Sequence, residues 1–378
     1  MGFDENDRWK EIGDEAVCSG EYMLRTLEVK SLRVFPSDGH WGMLVKVDGD
    51  DRQDVQCIKI GDVDLPWWQR VVGATPTSDH SARKIKIGIV DIAFRRPKQL
   101  KKLTFVAEET IEWDRVDAAD ADHGRQVAAI VGAQGPGKYR GLAHRGEIYF
   151  VNAADILADG SYHPTEVDHA SVVDGIRNLA LNHRVDLINL SVGFDQQLLP
   201  DLHGVIKEAA EAGTLCICAA GNSREKPVVV PAQYPETVAV GGLGFTGVAD
   251  LPALMGLWAQ MAEKSEQLSD ETFAGFGRAY RDWSAARGPE IEVFAPSMGV
   301  VVKAGGKDSE LYGTSFATAI VTSVLACRLA KDKVYAKLAK RERYLYARNA
   351  LSGISRVVKG LEEGATVARI PSLVSENP

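Results

Sequence analysis

From Lys84 onward the chain alternates short, unbroken apolar runs with longer stretches patterned as helices, and this rhythm restricts its fold more than any other feature. The runs cover 85–92 (IKIGIVDI), 147–153 (EIYFVNA), 185–193 (VDLINLSVG), 214–221 (TLCICAAG), 237–243 (TVAVGGL) and 291–297 (IEVFAPS). Most are continuously apolar, as strands buried on both faces of a parallel sheet are. Helices are expected at 123–133, 165–183, 197–212 and 315–331. Together these elements predict an α/β fold, a doubly wound and mostly parallel sheet with helices on both faces. In such a sheet the site lies in the loops at the carboxyl ends of the strands.

Residues 1–80 lack this rhythm. An acidic helix over about 4–16 is expected, then strand-like pieces in LRTLEVKSLRVF, WGMLVKV and QDVQCIKI, and a turn-rich linker near 73–83. They predict a small N-terminal β-rich domain, propeptide-like or regulatory, ahead of a main domain over 81–350 and a tail over 351–378. Within the main domain, 248–283 is an addition to a connection that would otherwise be short. Its Leu254, Leu257, Trp258 and Met261 fall at helical spacing.

Composition removes several function classes. The net charge of −8 argues against a nucleic-acid binder, which needs a concentrated basic face. The mixed basic run over 331–348 fits a solvated helix face better. No stretch approaches the ~20 uncharged apolar residues of a membrane span. The N-terminus MGFDENDRWKEIG is acidic and not a secretory signal. Five scattered cysteines lack metal-ligand spacing and suit buried free thiols, so a cytoplasmic setting is expected. Acidic loops at 114–122 and 155–168 leave structural calcium open but show no recognisable ligand spacing, and no cofactor is expected to be required.

The stretch DHGRQVAAIVGAQGPGKY (122–139) offers two chemistries. Gly132, Gly137 and Lys138 match a phosphate-cradling loop, but Tyr139 stands where a hydroxyl should hold magnesium. That loop would also follow a helix, whereas a phosphate loop follows a strand and opens a helix. The glycines therefore fit the turn that leaves a helix, and His123 is the residue of interest. Asp91 closes one apolar run, His123 opens a helical stretch, and Ser315 sits in LYGTSFATAIVTS where a helix begins. Singly, each has a structural use as a turn aspartate, a loop histidine or an N-cap serine. Asp, His and Ser in that order, at loop–helix boundaries of one sheet, is the triad order of subtilisin.

The surrounding motifs make the resemblance specific. GTSFATAIV (313–321) resembles the Gly-Thr-Ser-Met-Ala-x-Pro signature of the subtilisin-like serine proteases, the subtilases. HGRQVAAIVGA resembles their His-Gly-Thr-His-Val-Ala-Gly, VDLINLSVG their substrate strand, and CAAGNS their oxyanion-asparagine motif. GLAHRGEIYFVNAAD, VVPAQYPETVAVGG and WSAARGPEIEVFAPS resemble the linking segments. The likeness covers about 84–330.

That resemblance implies a serine endopeptidase acting on polypeptides. Ser315 would be the nucleophile, His123 the general base, Asp91 its orienting partner and Asn222 an oxyanion donor. Ser191, Val192 and Gly193, with Ala219, Ala220 and Gly221, would bind the peptide and line a pocket expected to prefer an apolar side chain. Departures from the pattern flank the catalytic positions: Ile92-Ala93 for Ser/Thr-Gly, Arg125 and Gln126 for Thr-His, and Ala319 for Pro. They leave a second reading open, a latent subtilase fold that binds peptides or partners. A regulatory partner would act through 1–80 or 248–283.

Overall fold

The computed structural model describes residues 65–74, 82–92, 103–105, 123–134, 140–156, 162–195, 199–247, 268–273, 276–304, 307–361 and 368–371, with strands at 2–3, 9–10, 29–37, 40–47 and 55–60. Its centre is a nine-stranded sheet. In chain order the strands are β1 (Lys86–Asp91), β2 (Leu103–Phe105), β3 (Glu147–Asn152), β4 (Leu187–Leu190), β5 (Leu215–Ala219), β6 (Val238–Phe245), β7 (Leu268–Phe273), β8 (Gly277–Arg281) and β9 (Ile291–Pro296). Across the sheet they run β7-β8-β6-β5-β4-β1-β3-β2, with β9 also paired to β6. Every pairing from β2 to β6, and that of β9, is parallel; only the β7–β8 hairpin and its junction with β6 are antiparallel. The runs are apolar because their strands are covered on both sides: β4, β5 and β6 are buried at every position.

Two helix pairs cover the faces. Helix α1 (His123–Gly132) packs with α4 (Thr314–Ala330), and α2 (His169–Arg177) with α3 (Pro200–Ala212). Fifteen of the seventeen residues of α4 are buried, so its hydroxyls need internal partners. Thr318, Thr322 and Ser323 satisfy this by donating to the carbonyls four residues back. A fifth helix, α5 (Arg341–Gly353), packs against α3 and α4. Because the chain runs from β1 outward to β2 and β3 and then returns to place β4 on the other side of β1, the order switches there. A crevice at the carboxyl ends of β1 and β4 follows.

Several sequence expectations change. Residues 29–60 form the expected strands, a three-stranded antiparallel meander (Val29–Ser37, His40–Val47, Val55–Ile60). Of the helix expected over about 4–16, only Trp9–Lys10 falls on described residues, and these pair as a strand with Gly2–Phe3; the rest lies outside the described residues. The boundary near residue 80 is not where packing divides the chain. A short helix, Trp67–Val71, buries both tryptophans in the main core, and their indole N–H groups donate to the Gly299 and Val301 carbonyls at 2.9 Å. Burial of such large side chains contributes roughly 1.5–3 kcal/mol each, so 65–74 belong to the main body. The second half of the 248–283 addition is the β7–β8 hairpin; the helix expected around 254–261 lies outside the described residues. The tail adds a two-stranded ribbon, Ser355–Val358 with Ala368–Pro371.

Candidate active site

The parallel sheet gathers four of the predicted residues at its carboxyl edge. Asp91 is the last residue of β1 and is fully buried. His123 is the first residue of α1, and its Nδ1 lies 2.6 Å from Asp91 Oδ1. A carboxylate offers only acceptors, so Nδ1 carries the hydrogen and Nε2 keeps its lone pair. Asp91 Oδ1 also accepts the Ile92 N–H at 2.7 Å. Burial alone would disfavour the imidazolium; the Asp91 charge and its hydrogen bond outweigh that, and the His123 pKa lies above the ordinary 6.5. Gly124 must be a glycine for this pairing: a Cβ there would meet the Ile92 carbonyl at 2.9 Å and the Phe150 ring at 2.8 Å.

Ser315 and Asn222 are brought together by the first turn of α4. Gly313 precedes it with φ +126°, a backbone that other residues rarely adopt, and a Cβ there would lie 2.9 Å from Asn222 Nδ2. Thr314 then holds the asparagine: its N–H and its hydroxyl both donate to Asn222 Oδ1, at 2.8 and 2.9 Å. With the amide oxygen occupied, Nδ2 is the end left to donate. Thr314 Oγ1 also accepts the Gly221 N–H at 3.2 Å. The Ser315 hydroxyl donates to the Ser191 carbonyl at 3.3 Å, not to His123. The His123 ring stands 5.5 Å from that of Phe316, the residue after Ser315.

A cleft of about 180 Å³ opens beside Ser315. Of the predicted substrate-binding residues, Ser191, Val192, Gly193, Ala219 and Gly221 line it, with Asn222. Ala220 does not; its N–H donates to the Val240 carbonyl and its own carbonyl accepts from Val229, so neither is left for a peptide. Of the three valines at 228–230, only Val229 enters the cleft, the other two being fully buried. It stands between the walls, because a Cβ on Gly193 would meet it at 2.3 Å and one on Gly221 at 3.0 Å. The walls are tied by the Phe194–Val230 backbone pair and by an exposed Asp195–Lys226 ion pair.

With this geometry in place, comparison with known proteins decides the family. The model of the subtilase family matches residues 82–358. The chain belongs to the subtilase family. It is 27% identical over 199 residues to the major intracellular serine protease of Bacillus subtilis (strain 168), covering 48% of this chain and 52% of that protein. It is 24% identical over 237 residues to the intracellular serine protease of Paenibacillus polymyxa, covering 58% and 60%. This subtilase chain thus spans about half the length of the first of these relatives. Among solved structures, a cold-adapted subtilisin-like serine proteinase superposes with a TM-score of 0.57 at 18% identity, over 83% of this chain and 100% of that one, which shows the shared fold.

Within this subtilase site, sequence reasoning missed a buried polar relay. Asn189 Nδ2 donates to Ser191 Oγ at 2.8 Å, and Ser191 Oγ donates to the Ser315 carbonyl at 2.9 Å. Thr322 from α4 donates to Asn189 Oδ1. The signal was present as an asparagine inside the apolar run VDLINLS, since a polar residue in a strand buried on both faces needs a partner. The departure at Ile92 also has a physical counterpart: Ile92 has no side-chain donor, and Asp91 Oδ2 is buried without a hydrogen-bond partner among the described residues. Ala319, in place of the family's proline, sits buried in α4 with its carbonyl accepting the Ser323 hydroxyl at 2.6 Å. Cys216, Cys218 and Cys327 are buried free thiols, and burial pushes the Cys216 pKa up to about 12. Among the described residues, no group of three or more His, Cys, Asp or Glu side chains could hold a metal, and no helix is long and apolar enough to cross a membrane.

Proposed function

We propose that the chain is a serine endopeptidase working through Asp91, His123 and Ser315, with Asn222 as an oxyanion donor. The observation that carries this reading is the 2.6 Å Asp91–His123 bond. It fixes the tautomer that leaves Nε2 basic, and the His123 ring stands 5.5 Å from that of Phe316, the residue after Ser315. Ser315 rotates away from the Ser191 carbonyl, gives its proton to His123 Nε2 and attacks the scissile carbonyl. Asp91 stabilises the imidazolium, which then protonates the leaving amine. The developing oxyanion takes hydrogen bonds from Asn222 Nδ2 and the Ser315 N–H. The test is mass spectrometry of an unfolded protein substrate incubated with the chain. Fragments made by wild type and absent with Ser315→Ala support the reading; identical fragments, or none, oppose it.

The substrate is a polypeptide whose residue before the scissile bond is small. This reading narrows the apolar preference expected from the sequence toward small side chains, because Val229 occupies space between Gly193 and Gly221. Residues 1–80 stay attached in this reading, since release near 78–84 would cut off the tryptophans that complete the core. An intact Met1 in active protein agrees with this, and a new N-terminus near 78–84 that Ser315→Ala lacks would refute it. The setting is intracellular, as for the relatives so named, in keeping with the buried free thiols.

One observation favours the second reading, a latent subtilase fold: the Ser315 hydroxyl is engaged with Ser191 and not with His123. A latent chain would show a cooperative melting transition and no reaction of Ser315 with a fluorophosphonate.

A further inference from the structure

A second groove, of about 1020 Å³, opens at the opposite edge of the same sheet. It is lined by residues at the amino ends of the central strands: Lys84 and Lys86 at the start of β1, Asp186 before β4 and Gly213 before β5. Three features set it apart. All the non-glycine residues with positive φ among the described residues line it, and all are cations: Lys84 (φ 68°), Arg184 (φ 51°) and Lys340 (φ 48°). Such backbone is rare outside glycine and persists only where the surroundings hold it, often at ligand clamps. The Lys340 carbonyl packs against Gly213, where a Cβ would stand 2.5 Å away.

The second feature is charge. The three acidic residues of the groove are each paired, Asp186 with Arg343, Glu208 with Arg177, which also pairs with Asp174, and Glu211 with Arg341. Lys84, Lys86, Arg184, Lys207 and Lys340 form no ion pair among the described residues. A chain of net charge −8 thus gathers five cations without an ion pair in one groove. The third is an apolar component: Leu181 is 42% exposed, and Leu338, Ala180 and Ala339 line the groove with it.

We propose that this groove binds an acidic peptide segment of a partner protein, carboxylates on the cationic rim and a leucine-like side chain against Leu181. Charge complementarity selects the acidic partner. The apolar residues and the volume favour a peptide over an inorganic polyanion, which would gain nothing from Leu181. The cations also come from four separate segments, suited to charges spaced along a chain. A partner seated there leaves the Ser315 cleft, at the other ends of β1 and β4, open to substrate.

Fluorescence anisotropy tests this with a labelled peptide of alternating glutamate and leucine and the full-length Ser315→Ala chain, which needs no turnover. Saturable, salt-sensitive binding is expected. Arg184→Glu with Lys340→Glu should weaken it at least about tenfold, and Leu181→Asp should do the same. Because Lys340 has an unusual backbone, Lys207→Glu on the exposed face of α3 is the second variant, expected to weaken binding about threefold or more at unchanged Tm. The proposal is overturned if the charge reversals leave binding unchanged. It is equally overturned if a leucine-free glutamate peptide or inorganic polyphosphate binds as tightly, or if the variants alter only self-association of the chain by sedimentation.

Discussion

The two halves of the proposed catalytic constellation are held in different ways. Asp91 and His123 are locked to one another, and Gly124 leaves no room for anything else beside them. Ser315 is held just as firmly, but by its other neighbours: its carbonyl by Ser191 Oγ, its hydroxyl by the Ser191 backbone, and the adjoining Thr314 by Asn222. On the proposed mechanism the acid–base half is therefore set before substrate arrives, while the nucleophilic half keeps the proposed oxyanion donors in place and needs one hydroxyl rotation. Positioning of this kind places most of the catalytic gain in preformed hydrogen bonds. It leaves a single side-chain torsion as the step between the resting and the reacting site.

Substitutions on each half sharpen that contrast. Ser315→Ala should lower kcat by ~10⁶-fold, to the level of the uncatalysed background plus residual binding. Asp91→Asn reverses the hydrogen-bonding demand on Nδ1 and should lower kcat by ~10⁴-fold with little change in KM. If it lowered kcat less than tenfold, the locked pair would not be the base. Asn222→Ala removes one oxyanion donor and frees Thr314, with an expected loss of ~10²–10³-fold in kcat. Val229→Gly should widen the cleft and move the ratio of kcat/KM for phenylalanine against alanine before the scissile bond upward by roughly 10–200-fold. An unchanged ratio would place the specificity elsewhere.

The proposed constellation left motifs because His123 and Ser315 depend on their sequence neighbours. Gly124 must follow His123 for a steric reason, and Gly313 and Thr314 must precede Ser315 so that Asn222 can approach and be held. Such local needs leave motifs. The alternation of apolar runs and helical stretches likewise made the parallel sheet legible. What was hidden depends on residues far apart in the chain. Trp67 and Trp68 find their partners at Gly299 and Val301, and nothing near 67 announces that. The same holds for the Asn189–Thr322 contact, for Val229 closing the space between two glycine walls, and for the strand at Ser355–Val358. The basic groove was hidden most completely, since its cations come from four segments of an acidic chain and its backbone strain has no sequence signature.

The most direct test of the central claim, that the Asp91–His123 pair activates Ser315, is the pH dependence of fluorophosphonate labelling. Because the His123 pKa is raised, the neutral imidazole that accepts the serine proton accumulates only as the pH climbs past that raised value. The labelling rate should therefore increase with pH through a midpoint above 6.5 and be lost in His123→Ala and Ser315→Ala. Absence of labelling in folded wild type, or a rate that His123→Ala leaves unchanged, would contradict the account.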